Sequence, residues 1–447
     1  MVNHEFDGVN LGDERLRKRC LKVAAGIQAK PEKSFPKQTE SANDLKGLYR
    51  FFANDQVSHR ELVRPHINRT VQRCRLEKVV LVVQDTSSLN FAKHPGVTDL
   101  GYIDKSERKY GMLFHNVYAV SGDRKPLGLL QQQVFVRKTK VAKNETKPQR
   151  LARKRESEKW EKGLLASQQE LSPHPKVIQV ADREADIYTF IEKIQEVGQG
   201  FVIRCAQNRS TLNGTVFTEI GRAEIRGGGQ IEIARNGRRK KRTAQVRIQS
   251  CTVQIRAPQA VNRKGPALPV NMVMVEEENP PANIEGLCWM LLTSEPIETV
   301  EDCWTVIHYY QSRWLIEEFH KGLKTGFNLE ERQLQTKTQL EKVLGMFSVL
   351  TYHVLLLRYY AKFPSGTPTT SDLGFNKDQI EILKFKFPQP DDNLTPGKLL
   401  FLVARLGGFI GRKSDGTPGW ITLMRGMYDL LLLEHGFIMA KILMGKG

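Results

Sequence analysis

The amino-acid sequence predicts an α/β protein: a mixed five-stranded sheet with helices, interrupted by a β-rich insertion and flanked by helical segments at both ends. Three observations carry this expectation. Residues 79–83 and 176–181 are apolar runs of the kind that form strands buried on both faces. The order of runs between residues 79 and 205 reads β-β-β-α-β-α-β. Residues 211–292 then switch to alternating apolar and polar runs punctuated by glycine.

Taken in order, residues 1–75 read as a helical domain. Residues 11–28 are amphipathic and basic and stop near Pro31, and residues 41–52 and 58–75 follow. Ser58 with Glu61 has the spacing of a capping box. Small basic helical modules of this kind suit DNA. The catalytic core is assigned to residues 76–210 and 301–365. Its first strand ends at Asp85. Residues 114–120 and 127–136 form two further strands around a Ser121-Gly122-Asp123 turn, and 147–169 a long basic helix. The strand at 176–181 ends at Asp182, a helix covers 183–195, and 200–205 is the fifth strand.

The insertion spans 211–300, with strands at 230–234, 244–255 and 270–275. Its basic stretch around Asn236-Gly237 reads as a hairpin tip. Arg238, Arg239, Lys240 and Lys241 there suit phosphate contact, or a solvated loop. Residues 343–357 are the longest apolar stretch, interrupted by Tyr352 and His353. That is short for a membrane span and reads as a core helix, so no membrane partner is expected. Residues 366–395 read as a Pro-rich linker and 396–447 as a helical dimerisation domain, broken at Gly407-Gly408 and at 414–419. Leu399, Leu400, Leu402, Leu406 and residues 430–433 form an apolar stripe that suits a second protomer or a local core.

Charge narrows the partners. Lys and Arg total 68 against 49 Asp and Glu, a net charge of +19 spread along the chain. A polyanion, nucleic acid first, is the partner this implies. The cysteines (Cys20, Cys74, Cys205, Cys251, Cys288, Cys303) are scattered without a C-x-x-C pair. They read as reduced thiols in a cytoplasm, with no secretory leader ahead of them.

The chemistry rests on three acids. As a helix, residues 310–324 place Tyr310, Arg313, Glu317, Lys321 and Lys324 within an arc of roughly 80°, with Leu315, Ile316, Phe319 and Leu323 opposite. Two strand-end aspartates and one helical glutamate are the parts of a two-metal phosphoryl-transfer site. Asp85 would bridge two Mg²⁺ ions, Asp182 would complete one shell and Glu317 the other. Parallel neighbouring strands would bring the two aspartates side by side. Singly, each acid has a plainer reading: a turn former, a helix N-cap or a surface residue. Glu184 and Asp186 rival Asp182 as ligands.

The spacing Tyr-x2-Arg-x3-Glu-x6-Lys at Tyr310, Arg313, Glu317 and Lys324 resembles the YREK signature of bacterial cut-and-paste DDE transposases. The likeness is to the insertion-sequence-four family, transposon-five branch. Gln84-Asp85-Thr86-Ser87-Ser88-Leu89, Asp182-Arg183-Glu184-Ala185-Asp186-Ile187 and Ala404-Arg405-Leu406-Gly407-Gly408-Phe409 resemble that family's segments too. The resemblance covers residues 5–440. It implies a ribonuclease-H-like core with two Mg²⁺ ions, for which Mn²⁺ substitutes. It also implies an N-terminal module that reads inverted terminal repeats in double-stranded DNA, and a homodimer in the synaptic complex. The reaction would run through a hydrolytic nick, hairpin formation, hairpin opening and joining of the 3′ ends to target DNA. Trp289 stands where the family stacks a flipped base, and Tyr310, Arg313 and Lys324 would hold phosphates around it. Arg183, His320 and Lys321 are further candidates for backbone contact. The expected location is the bacterial cytoplasm, at the nucleoid. Two rival readings are a catalytically idle DNA-binding regulator and a structure-specific nuclease without strand transfer. The intact acids argue against the first, and the insertion and C-terminal helices against the second.

Overall fold

The computed structural model describes residues 3–103, 110–137, 156–233, 241–258, 267–362, 375–388, 394–412 and 415–445. The chain opens with helices α1 (Asn3–Phe6), α2 (Glu14–Ala29), α3 (Phe35–Gln38), α4 (Ala42–Ala53) and α5 (His59–Cys74). Side-chain oxygens set three of the starts. Asp13 accepts from the Arg15 amide, Ser41 from Asp44 and Ser58 from Glu61. The apolar faces of these helices do not form a separate core. Phe6, Ile27, Phe35 and Phe52 join one buried cluster with Val83 and Phe114 of the sheet and Phe347 of a later helix.

The strands are β1 (Val80–Asn90), β2 (Gly101–Tyr102), β3 (Tyr110–Ser121), β4 (Pro126–Phe135), β5 (Val177–Ala181), β6 (Gly200–Arg204), β7 (Ile225–Ile233), β8 (Arg242–Ile255), β9 (Leu268–Glu277) and β10 (Cys288–Thr293). The five expected strands lie in the order β4-β3-β1-β5-β6. β3 runs antiparallel to β1 and β4, while β5 and β6 run parallel to β1. This mixed arrangement is consistent with a ribonuclease-H-like core. The sheet does not stop at five strands. β10 pairs antiparallel with the outer edge of β6, and β9, β8 and β7 follow, so the β-rich segment continues the same sheet. That pairing satisfies backbone groups that an open β6 edge would leave bare.

The remaining helices are α6 (Glu158–Leu171), α7 (Tyr188–Glu196), α8 (Val216–Arg222), α9 (Val300–Gln311), α10 (Trp314–Lys321), α11 (Lys337–Lys362), α12 (Lys377–Lys386), α13 (Pro396–Leu406) and α14 (Trp420–Met444). Residues 147–155 of the expected basic helix lie outside the described residues. α7 begins later than expected, because Asp182 caps a 3₁₀ turn, Arg183–Ala185, ahead of it. α11 is long and apolar enough to cross a membrane, but most of it is buried within this fold. The expected linker is partly structured: α12 docks Ile382 and Leu383 into a cluster with Leu399, Leu400, Leu402 and Leu430. Those four leucines of the apolar stripe therefore fill a local core, whereas Leu432 and Leu433 are exposed. The break at Gly407 lets α13 and α14 touch. A Cβ on Gly426 would lie 1.7 Å from the Val403 carbonyl oxygen.

One buried ion pair ties the N-terminus to the sheet. Glu5 accepts from His66 Nδ1 at 2.5 Å and from Arg73 Nη1 at 2.8 Å, while His66 Nε2 accepts from the Leu129 amide. Burial alone would raise the Glu5 carboxyl, but His66, Arg73 and His353 outweigh it and hold it far below the usual carboxylate range. Glu5→Gln should therefore lower stability by about 3 kcal/mol at pH 7. A depressed acid stabilises fully above its unfolded pKa, so the wild-type advantage should shrink as pH falls below about 4.5. Denaturant midpoints of both proteins across pH 3–7 check this.

Candidate active site

β1 and β5 pair in parallel from Val80 opposite Val177 to Val83 opposite Val180. Continuing that register two residues sets Asp85 abreast of Asp182. Asp85 is not at a strand end: β1 runs on to Asn90, paired only with β3, because β5 stops at Ala181. The aspartate sits where the parallel partner leaves off, which opens the space above it. Side chains alternate along a strand, so Asp85 shares its face with Leu81 and Val83. These pack in one cluster with Ile316 and Phe319 of α10.

The segment 310–324 is not one continuous helix. It breaks after α9, where Ser312, Arg313 and Leu315 bond back three residues to Tyr309, Tyr310 and Ser312. It ends in a π turn, Gly322–Gly326, that carries Lys324. Gly322 lies against Trp420, where a Cβ would come within 2.9 Å of the indole. The break preserves the i,i+4 pairing of Arg313 with Glu317, at 2.5 Å. The Arg313 guanidinium also lies 6.0 Å from the Tyr310 ring.

The three acids share one electrostatic environment. Burial pushes the Asp85 carboxyl up to about 7; Arg313 opposes this, and the charges of Asp182 and Glu317 add to it. Asp85 Oδ1 accepts from the Thr86 amide at 2.8 Å, and Asp182 Oδ1 from Glu184 at 2.9 Å. Burial acts to lower the Arg313 pKa, but Glu317, Tyr310 and Asp85 outweigh it and raise it. Lys324 is half-buried; burial lowers its pKa, against the pull of Glu330 and Asp85.

Beside the acids, Trp289 of β10 meets Tyr310 edge-to-face with centroids 5.2 Å apart. The β-rich segment thus closes over the start of the 310–324 segment. Arg204, at the end of β6, donates to the Cys288 carbonyl at 3.1 Å; burial raises the Tyr310 pKa, and the charges of Arg313 and Arg204 only partly oppose it. Sequence reasoning missed Arg204. Its place at the C-terminal end of a parallel strand was the available signal.

The rival acids are occupied elsewhere. Asp186 is buried and accepts from the Ala206 and Gln207 amides and from Arg209. Glu184 is exposed, 3.6 Å from Lys159. Arg183 and Lys321 are exposed. His320 is not: it is buried, its Nε2 taken by Asn116 at 2.9 Å and its Nδ1 3.7 Å from Asp85. The expected backbone contact by His320 is therefore corrected, because the α10 face that carries it packs on Phe114 of the sheet. Tyr310 and Arg313 are also buried, Arg313 against Glu317. Arg238, Arg239 and Lys240 lie outside the described residues. Lys241 pairs with Glu232 at 2.9 Å, and the next residue, Arg242, bonds to Glu277.

Among the described residues, no three His, Cys, Asp or Glu side chains stand close enough to hold a metal ion as they are now arranged. The donor set nonetheless suits a hard divalent cation: carboxylate oxygens in a desolvated pocket, two of them raising the pKa of the third. Glu317 would have to turn from Arg313 to join Asp85 and Asp182.

Two family models match the chain. One, described as transposase DNA-binding, matches residues 1–57. The other, described as transposase DDE domain, matches residues 93–351, more than half of the chain. The second takes in Asp182 and Glu317 and begins just beyond Asp85.

Metal-free protein provides a direct test of the crowding. Asp85→Asn should raise stability at pH 8 by on the order of 2 kcal/mol, measured by denaturant melts with chelator present. An acid whose folded pKa is raised loses stability as pH climbs from its unfolded value to its folded one. The gap between the two proteins should thus open between about 4 and about 7 and stay constant above.

Proposed function

The chain belongs to the DDE transposases, and on that premise we propose a cut-and-paste enzyme of the insertion-sequence-four type. It binds the inverted-repeat ends of a mobile element, frees them through a nick and a hairpin, and joins the 3′ ends to target DNA. The observation that carries this reading is the parallel register that sets Asp85 abreast of Asp182, with Glu317 paired to Arg313 on the helix packed against the same strand. Such a pocket is poised for cations and phosphate together.

Asp85, Asp182 and Glu317 would hold two Mg²⁺ ions, or Mn²⁺ in their place. When bound, these supply Lewis-acid stabilisation of charge at the attacking and leaving oxygens. Arg313 neutralises Glu317 in the free protein, and a DNA phosphate would draw the guanidinium away and release the carboxylate. Lys324 and Tyr310 would complete the phosphate clamp. Trp289, half-buried against Tyr310, would stack the base that a tight hairpin expels. The N-terminal helices would read the terminal repeat, and two protomers would synapse two ends, meeting through the exposed apolar residues of α14. The setting would be the bacterial cytoplasm, at the nucleoid.

The test is an end-bearing duplex with Mg²⁺, comparing wild type with Asp85→Ala. Wild type should give nicked, hairpin and joined products in turn, and the variant none. Binding without cleavage would point to an idle regulator, and cleavage without hairpin or joining to a simple nuclease. Trp289→Ala should slow hairpin formation by roughly tenfold while nicking changes little, since base stacking is worth about 1–3 kcal/mol. Equal loss in both steps would remove Trp289 from the stacking role.

A further inference from the structure

A buried chain of hydrogen bonds runs from the start of α5 to His320, whose ring stands beside Asp85. His59 Nε2 lies 2.8 Å from Gln132 Oε1. Gln132 Nε2 donates to Asn116 Oδ1 at 2.8 Å and to Ser348 Oγ at 2.9 Å. Asn116 Nδ2 reaches His320 Nε2 at 2.9 Å, and His320 Nδ1 stands 3.7 Å from Asp85 Oδ2. Asn116 is directly opposite Asp85 in the β1–β3 register. Asn116, Gln132, His320 and Ser348 are all buried. Room for the far end is made by Gly345, where a Cβ would come within 2.9 Å of the His59 ring.

The chemistry of amides gives this chain a direction. Gln132 uses its nitrogen on Asn116 and Ser348, so its oxygen receives, and His59 Nε2 is the donor. Asn116 receives on oxygen, so its nitrogen donates to His320. A ring nitrogen that accepts carries no proton, so neutral His320 keeps its proton on Nδ1, the side toward Asp85. Every donor points the same way. The other Asp85 oxygen already accepts from the Thr86 amide. Burying such a row of polar groups is costly unless each is hydrogen-bonded, and a satisfied row is rigid.

We infer that His320 is a positioning residue for Asp85, presenting an Nδ1–H to Oδ2 and, with Asn116 and Gln132 behind it, fixing the carboxylate in its metal-receiving orientation. This rests on the reading of Asp85 as a metal ligand. A second-sphere group of this kind typically changes metal affinity by about 10- to 100-fold.

The test combines three readouts on the full chain: Mn²⁺ affinity by electron paramagnetic resonance, single-turnover nicking, and duplex affinity. His320→Phe keeps a ring but removes the donor. It should weaken Mn²⁺ binding and slow nicking by about tenfold or more, with duplex affinity within about twofold. His320→Gln, which restores an N–H, should recover most of the loss. Wild-type Mn²⁺ affinity in His320→Phe overturns the inference, as does a drop in duplex affinity that matches the drop in nicking, or a failure of glutamine to rescue. Nitrogen NMR of the unmutated protein needs no variant to fold: His320 should be the Nδ1–H tautomer, and an Nε2–H tautomer overturns the inference. Failure of the proposed function would look different, because wild type itself would then bind no Mn²⁺ and leave the duplex uncut.

Discussion

Burial of the Asp85 carboxylate, with two further acids adding to its cost, is the constraint around which the site is arranged. Asp85 is desolvated and feels two further acids, so an isolated sheet would gain by losing it. The surroundings make it tolerable in two ways. Arg313 places a cation within reach of both Asp85 and Glu317, and β1 grips the aspartate through pairing with β3 that runs five residues beyond it. The helices above are broken and turned at Ser312 and Gly322 in the service of the same contact. Local regularity is given up where charge must be concentrated.

A second constraint is the core that the N-terminal helices share with the sheet. The N-terminal helices contribute Phe6, Phe35 and Phe52 to the cluster that also buries the central strand and α11. The Glu5–His66–Arg73 group locks the first helix onto α5, and its His66 reaches β4. A segment matched as DNA-binding is thus welded to the sheet that bears the acids. A shift of that segment would be felt in the core rather than absorbed by a hinge.

Much of this was legible in the chain because the signals are local. The apolar runs before Asp85 and Asp182, the helix cap at Ser58, and the spacing from Tyr310 to Lys324 all depend on near neighbours. What escaped depends on distant ones. The length of β1 past Asp85 is set by β3, and the inward turn of Asp186 by residues 206, 207 and 209. The burial of His320 depends on Phe114 and Asn116, some two hundred positions earlier. Arg204 carries no motif at all, and only the closure of β10 onto β6 gives it neighbours worth noting. The extension of the sheet beyond β6 was hidden for the same reason, since alternation specifies a strand but not its partner.

That extension turns the sheet into a ruler. β1, β5, β6 and β10 are consecutive neighbours, so three inter-strand steps separate the strand of Asp85 from that of Trp289. At roughly 4.8 Å each they span about 14 Å across the sheet. The lateral interval between the strand of Asp85 and that of the indole is therefore graduated in backbone hydrogen bonds. Side chains along it can be exchanged without resetting the scale, whereas adding or deleting a strand would shift the measured length by a whole division.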